Sequence, residues 1–206
     1  IDPELEDPDG DPVSIRYDWY KDDEPQNIPG DTVFASLTTK GEVWTLRAYT
    51  NDGQLDSMPS SVSVTVKNTP PIINNYRVAN SEPSTNDDLI VEEINASDAD
   101  EEEISISYKW FQNGNHIVAL NGSSAVDSSY TSKGEDWTLE LTPSDSTENG
   151  EMESISFYIG NTPPTITSVG LTPTQAYQNS VIEAIISFED IDQDSIDFQY
   201  NWLNNG

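Results

Sequence analysis

The sequence aligns with itself at a spacing of 91 to 93 residues, and that period constrains the fold more than any other feature. Asp7-Pro8-Asp9-Gly10-Asp11, followed by Tyr17 and Trp19, returns as Asp98-Ala99-Asp100-Glu101-Glu102 with Tyr108 and Trp110. It returns again as Asp190-Ile191-Asp192-Gln193-Asp194 with Tyr200 and Trp202. Lys40-Gly41-Glu42 with Trp44 matches Lys133-Gly134-Glu135 with Trp137, and Asn-Thr-Pro-Pro occurs at 68–71 and at 161–164. A period of this length is that of an array of domain-sized modules rather than of a fine solenoid. Boundaries at the Asn-Thr-Pro-Pro linkers give a partial module over 1–69, a complete one over 70–162 and a partial one over 163–206. A half sandwich leaves open sheet edges and an uncovered core. The pattern therefore implies a window cut from a longer periodic protein. The competing arrangement has one copy's end complete another copy's beginning. It is disfavoured at this level, because both partial modules carry the Asp motif and the Tyr/Trp strand and so overlap.

Within each module the apolar residues alternate. Ile104, Ile106, Tyr108 and Trp110 are interleaved with Ser105, Ser107 and Lys109. Val13, Ile15, Tyr17 and Trp19 do the same, as do Ile196, Phe198, Tyr200 and Trp202. A period of two puts the apolar set on one face of a half-buried strand. Trp137, Leu139 and Leu141 mark a further strand. Ile155, Phe157 and Ile159, matching Val62, Val64 and Val66, mark the last of each module. Asn113-Gly114 and, in the third copy, Asn205-Gly206 are hairpin turn signals, and no segment shows a sustained helical period. The fold class that follows is all-β, with tandem Ig-like antiparallel β-sandwiches joined by short linkers.

Charge excludes several functions. The 38 acidic residues against 8 basic ones give a net charge of -30, the opposite of the basic footprint that nucleic acid requires. It also opposes docking on an anionic membrane surface. No run of about 18 apolar residues is present to span a membrane, and the opening IDPELEDPDG lacks the pattern of a signal peptide. With no cysteine, the modules are not stapled by disulfides. Such an excess of carboxylates strains a compact state unless cations offset it, so divalent cations are the first partners to consider.

The Asp-Pro-Asp-Gly-Asp run, the alternating strand ending in Tyr-x-Trp twelve residues after its first Asp, and the strand closing on Asn51-Asp52-Gly53 together resemble the PKD-type Ig-like module. Such modules occur in tandem in bacterial and archaeal surface proteins and in secreted hydrolases. The resemblance covers the whole chain. The family's Trp-Asp-Phe-Gly-Asp-Gly stretch is replaced here by Trp19-Tyr20-Lys21-Asp22-Asp23 and Trp110-Phe111-Gln112-Asn113-Gly114. The chain is thus similar to a close relative within the wider Ig-like group, and cadherin-like repeats share the architecture and the acidic linker region. The resemblance implies an extracellular or cell-surface location in a bacterium or archaeon.

Three acidic residues at alternating positions crowd carboxylates together at a cost that a cation or hydrogen bonds must offset. All-oxygen ligands suit Ca²⁺ better than Zn²⁺. An EF-hand is excluded, since the positions that need Gly and Glu hold Pro12 and Asp18, or Glu103 and Lys109. In Ig topology the loop between the second and third strands meets the loop between the last two at one pole. The expected Ca²⁺ site of the complete module is therefore Asp98, Asp100, Glu102 and Asp145. Asp7, Asp9, Asp11 and Asp52 are the counterparts in the first module, and Asp190, Asp192 and Asp194 those in the third. Glu42 or Glu135 of the preceding module is expected nearby. The other reading of the same residues is that of solvated turns held by local hydrogen bonds.

The five tryptophans lie in phase with apolar strand neighbours, which points to core packing rather than sugar stacking. His116, the single histidine, has no second nitrogen or sulfur partner for metal binding or nucleophilic chemistry and is expected in an exposed loop. A glycosidase carboxylate pair is disfavoured because the acidic cluster repeats, whereas an active site is normally built once. Asn95 and Asn121 fit the glycosylation acceptor pattern. The functional expectation is a non-enzymatic stalk, spacer or filament-forming segment whose partners are neighbouring modules or copies of the same protein. The alternatives are an adhesin or module that binds surface glycans, and an accessory region of a secreted hydrolase.

Overall fold

A computed structural model describes residues 12–203. The chain divides into two compact units. One gathers the chain up to Pro70 together with Asp98–Glu102, and the other gathers Pro71–Ser97 together with the chain from Glu103 onward.

The first unit is built on one antiparallel sheet. Its strands are β1 (Ser14–Lys21), β2 (Glu24–Gln26), β3 (Val43–Asn51) and β4 (Ser60–Thr65), in the order β2-β1-β3-β4. The β1–β2 hairpin turns on Asp22 and Asp23, both left-handed at φ 48° and 66°, as a two-residue type I′ turn requires. Asp22 earns its place by accepting the Val43 N–H at 2.8 Å. Trp19 and Trp44 meet edge to face at 6.4 Å and 70°, and Trp44 is the buried hydrophobic residue of this sheet.

The second unit contains a complete sandwich. Its strands are β5 (Ile72–Val78), β6 (Leu89–Ser97), β7 (Ser105–Gln112), β8 (Asn115–His116), β9 (Ala125–Val126), β10 (Asp136–Ser144) and β11 (Glu153–Tyr158). They form the sheets β5-β6-β9 and β11-β10-β7-β8. A parallel bridge between Ser84 and Gly160, with the Gly160 N–H on the Pro83 carbonyl at 2.7 Å, ties the segment after β5 to the edge of the opposite sheet. This is the strand arrangement of an Ig-like sandwich. Asn113-Gly114 closes the β7–β8 hairpin with both residues at positive φ. Gly150 is required by close approach, because a Cβ there would lie 1.8 Å from the Pro71 carbonyl oxygen.

The core is the set of residues that alternation placed on the inner faces. Trp110, Val126, Leu139, Leu141 and Ile159 are fully buried, and Trp137, Ile155 and Phe157 nearly so. Ile73, Val78 and Ile94 of the β5–β6 sheet pack against them. Trp110 contacts Trp137 at 6.3 Å and 69°, nearly the geometry of Trp19 and Trp44. With no cysteine to cross-link the sheets, aromatic packing fills the centre. Each indole N–H is satisfied. Trp110 donates to the Ser123 carbonyl at 2.9 Å and Trp137 to Glu135 Oε2 at 2.9 Å.

The third repeat forms β12 (Thr165–Thr172) and β13 (Glu183–Glu189), paired antiparallel with a bulge between Ile166 and Ser168. The β5–β6 pair carries the equivalent bulge between Ile73 and Asn75. Here the structure departs from one expectation. Ile196, Phe198, Tyr200 and Trp202 form no strand, and Trp202 is 61% exposed rather than in a core. The equivalent β7 is held between β10 and β8, and the described residues of the third repeat include no such partners. Alternation makes a strand only where a ladder exists to receive it.

Two stability changes follow. Asp23→Gly relieves a left-handed side chain and is expected to stabilise the first unit by about 1 kcal/mol, read as a higher urea midpoint. Glu135→Ala leaves the Trp137 indole without its acceptor and is expected to cost about 1–3 kcal/mol. Thermal melting of the second unit should show that loss, with Glu135→Gln losing less.

Candidate metal centre

The acidic loops are folded by their own backbone. Between β6 and β7, Asp98 Oδ1 accepts the N–H groups of Asp100 at 2.8 Å and Glu102 at 3.2 Å. Glu101 sits left-handed at φ 61°, which closes the turn. The loop after β13 repeats this, with Asp190 Oδ1 accepting the Asp194 N–H at 3.3 Å and Gln193 at φ 56°. The first repeat has Gly10 at this position, the residue best suited to it.

This fold converges the carboxylates. In the groups Asp98, Asp100, Glu102 and Asp190, Asp192, Asp194, one ligand oxygen from each residue lies within 4.8 Å of the others. Carboxylate oxygens of these groups also bond to the linker and to the preceding repeat. Asp100 Oδ2 accepts the Thr69 N–H at 2.7 Å, and Asp192 Oδ2 accepts the Thr162 N–H at 2.6 Å. Both donors belong to the Asn-Thr-Pro-Pro linkers. Lys40 donates to Glu102 at 2.6 Å, and Lys133 to both oxygens of Asp194 at 2.8 and 2.6 Å. Asp192 also receives the Thr85 hydroxyl. One atom of each loop is left over. Asp98 Oδ2 and Asp190 Oδ2, equivalent in the two repeats, are shut from solvent with no hydrogen-bond partner.

The electrostatics follow from these contacts. The Thr85 hydroxyl first, then the Thr162 N–H and the Lys133 ammonium, hold the Asp192 carboxyl below its usual value. The Asp194 carboxylate first, then Asp192 and Asp190, raise the Lys133 ammonium above its own. Among the described residues, the three converging carboxylates of each triad face one lysine ammonium, so each ionised triad outweighs its lysine by two negative charges (three minus one).

Other expected ligands are placed differently. Asp7, Asp9 and Asp11 lie outside the described residues. Asp52 and Asp145 stand outside both converging groups. Asp52 Oδ1 accepts the N–H groups of Gln54 at 2.7 Å and Leu55 at 2.8 Å, and those bonds, Leu55 first, lower its pKa. Asp145 Oδ1 does the same for Thr147 at 2.6 Å and Glu148 at 2.7 Å. Glu42 and Glu135 are also spent locally, capping Thr39 at 2.9 Å and Ser132 at 3.0 Å and accepting the indoles of Trp44 and Trp137. The residues that reach the acidic loops are instead the lysines two positions earlier. The repeated Lys-Gly-Glu tripeptide carried that signal, because a cation, unlike a further carboxylate, lowers the energy of the cluster. His116 is exposed as expected but lies on β8, paired with Phe111, rather than in a loop, and is bonded to Asn121 at 2.7 Å. A shallow cleft beside the Asp190 loop is lined by Ser128, Ser132, Lys133 and Tyr158.

No protein-family profile matches the chain, and no curated protein matches it. Among solved structures, the chain is similar to Sidekick-1 immunoglobulin domains 1-5 at 16% identity and a TM-score of 0.29. That similarity covers 75% of this chain and 36% of the other. The Ig-like β-sandwich fold stands on the sheets, strand order and core described above.

The pKa shifts set a pH dependence. Asp192, lowered in the folded state, contributes stability that is present above its unfolded pKa of about 3.9 and lost as pH falls below it. Lys133, raised, contributes below about pH 10.4 and loses that contribution as pH rises past it. The wild-type melting temperature should therefore fall more steeply below about pH 4 than that of Asp192→Asn, read by circular dichroism across pH 2–8.

Proposed function

We propose that this chain is a structural, non-enzymatic repeat region outside the cell, a stalk, spacer or filament-forming segment in which Ca²⁺ bound by each acidic loop ties it to the adjoining linker. The observation that carries the reading is the repetition of the same tie. In two consecutive repeats a carboxylate of the loop holds a linker Thr N–H, and a lysine of the preceding Lys-Gly-Glu turn holds another. A device built at each repeat serves the array, whereas a catalytic centre is built once. The residues fit a hard cation. The donors are all oxygen, they converge, and each loop has one buried oxygen without a partner. The excess negative charge left after the lysine is what a divalent ion would cancel.

The finer assignment follows the same argument. A PKD-type or cadherin-like module of a bacterial or archaeal surface protein accounts for the acidic loop, the Tyr-x-Trp strand and the proline-restricted linker together. The same parts would serve as an accessory region of a secreted hydrolase. Glycan binding draws on one specific observation, the exposed Tyr158 ring beside the hydroxyl-lined cleft. This ring is not repeated in the first module, where the matching residue is Thr65.

Calorimetry and melting with Ca²⁺ and with a chelator test the reading. A site of the affinity common in extracellular modules, with Kd of about 10⁻⁴–10⁻³ M, adds about 1.4 kcal/mol when calcium stands tenfold above Kd. The melting temperature should rise accordingly, and Asp98→Asn with Asp190→Asn should remove the rise. Identical transitions in calcium and chelator, with no heat of binding, would end the calcium proposal.

A further inference from the structure

The cleft beside the Asp190 loop has two walls, both in the second unit. One is the turn over 128–134 with the ring of Tyr158, which is 62% exposed, and the other is the loop over 191–194. The walls are held facing each other by Lys133 on Asp194 and by Thr85 and Thr162 on Asp192. Between them lies a volume of about 600 Å³, within the range of small-ligand sites at about 300–1,000 Å³. Ser128 and Ser132 commit their backbone N–H groups to Asp88 at 2.8 Å and Glu135 at 3.0 Å, and their hydroxyls stay at the cleft wall.

The first repeat builds the same turn and loop with different side chains, and the differences share one chemical sense. Lys40, Gly41 and Asp100 match Lys133, Gly134 and Asp192, with both glycines left-handed, so the scaffold is kept. Around it, Tyr158 stands where the first repeat has Thr65, Ser128 where it has Ala35, Ile191 where it has Ala99 and Gln193 where it has Glu101. The second junction thus gains an aromatic face, a hydroxyl, a larger aliphatic side chain, and a neutral amide in place of a carboxylate. The bonds that hold the loop to the turn and linker use none of these four side chains. Each one instead supplies contact for a ligand.

We propose that this cleft binds a neutral oligosaccharide, with a pyranose ring laid on Tyr158 and its hydroxyls bonded to Ser128, Ser132 and Gln193. The C–H face of a sugar ring is drawn to the negative face of an aromatic ring. A planar amide offers donors and an acceptor to neighbouring sugar hydroxyls. Charge sets the class. Lys133 is spent on both oxygens of Asp194, so it is not free to receive an anion. A cationic ligand would favour the carboxylate of Glu101 over the amide of Gln193. Binding here rests on the glycan reading of the chain and needs no ion, so its test is run in chelator.

NMR titration of the isotope-labelled full chain with cellotetraose, maltotetraose, xylotetraose and N-acetylchitotetraose decides it. At least one should shift the backbone amides of 128–134, Tyr158 and Gln193 and leave those of 35–41 and Thr65 in place. Tyr158→Thr should weaken binding about tenfold, and Gln193→Glu should weaken it as well. Both replacements are residues that the first repeat carries at the same positions, and an unchanged second-unit melt verifies that the fold is intact. Shifts confined to other residues, or full affinity in Tyr158→Thr, overturn the site and leave the glycan reading standing. No shift with any of the four sugars ends both, while the calcium reading is decided separately by its own calorimetry. Tighter binding of tetragalacturonate or of the de-acetylated chitosan tetramer overturns the neutral class.

Discussion

A buried tryptophan must place its indole N–H, and for Trp44 and Trp137 the acceptor is a glutamate two residues before it. Glu135 Oε2 takes the Trp137 N–H and the Ser132 N–H, while its other oxygen takes Gln112 at 2.8 Å. One carboxylate thus links the core of the sandwich, the adjoining strand and the turn that precedes it. With Glu135 anchored inward, the turn is fixed, Gly134 supplies its left-handed residue, and Lys133 is delivered to Asp194. Glu42, Gly41 and Lys40 repeat the arrangement toward Glu102. The tie between repeats is therefore an outward consequence of how the core satisfies one donor.

The same economy explains how so acidic a chain holds a compact state. The carboxylates in the acidic loops and the turns beside them are engaged by backbone N–H groups rather than by scarce cations. Asp98, Asp52 and Asp145 each accept two N–H groups, and at Asp52 those bonds hold the carboxyl below its usual value. The few lysines are kept for points where three carboxylates converge. Exposed ion pairs of this sort contribute little alone, about 0–1 kcal/mol, so what they add is direction. They select which turn faces which loop.

Much of this was legible in the residues. The period located the repeats, alternation located the inner faces, and Asn113-Gly114 located a hairpin. Trp19, Trp44, Trp110 and Trp137 marked where each sheet packs. These signals are local, and local patterns survive in a sequence. The site was legible only in part. The converging triads follow from spacing along one loop. Asp52 and Asp145 were grouped with them by topology alone, and each accepts N–H groups of its own turn. The lysines were passed over because their role depends on where a turn points, which is set by Glu42 and Glu135 from the core side. Thr85, which bonds Asp192, is 107 positions from it in sequence and carries no pattern at all.

Trp202 and Val64 show why burial itself escapes such reading. Trp202 has the sequence neighbours of Trp110, and Val64 those of Phe157, yet their exposures are 61% against 0% and 62% against 3%. Identical patterning yields opposite environments because a strand's inner face is defined by the sheet across from it. In a periodic chain every module carries the information for its own half of that contact. The bulge after Ile166 sets the register of this pair on its own, pairing Val169 and Leu171 with Ile186 and Ala184.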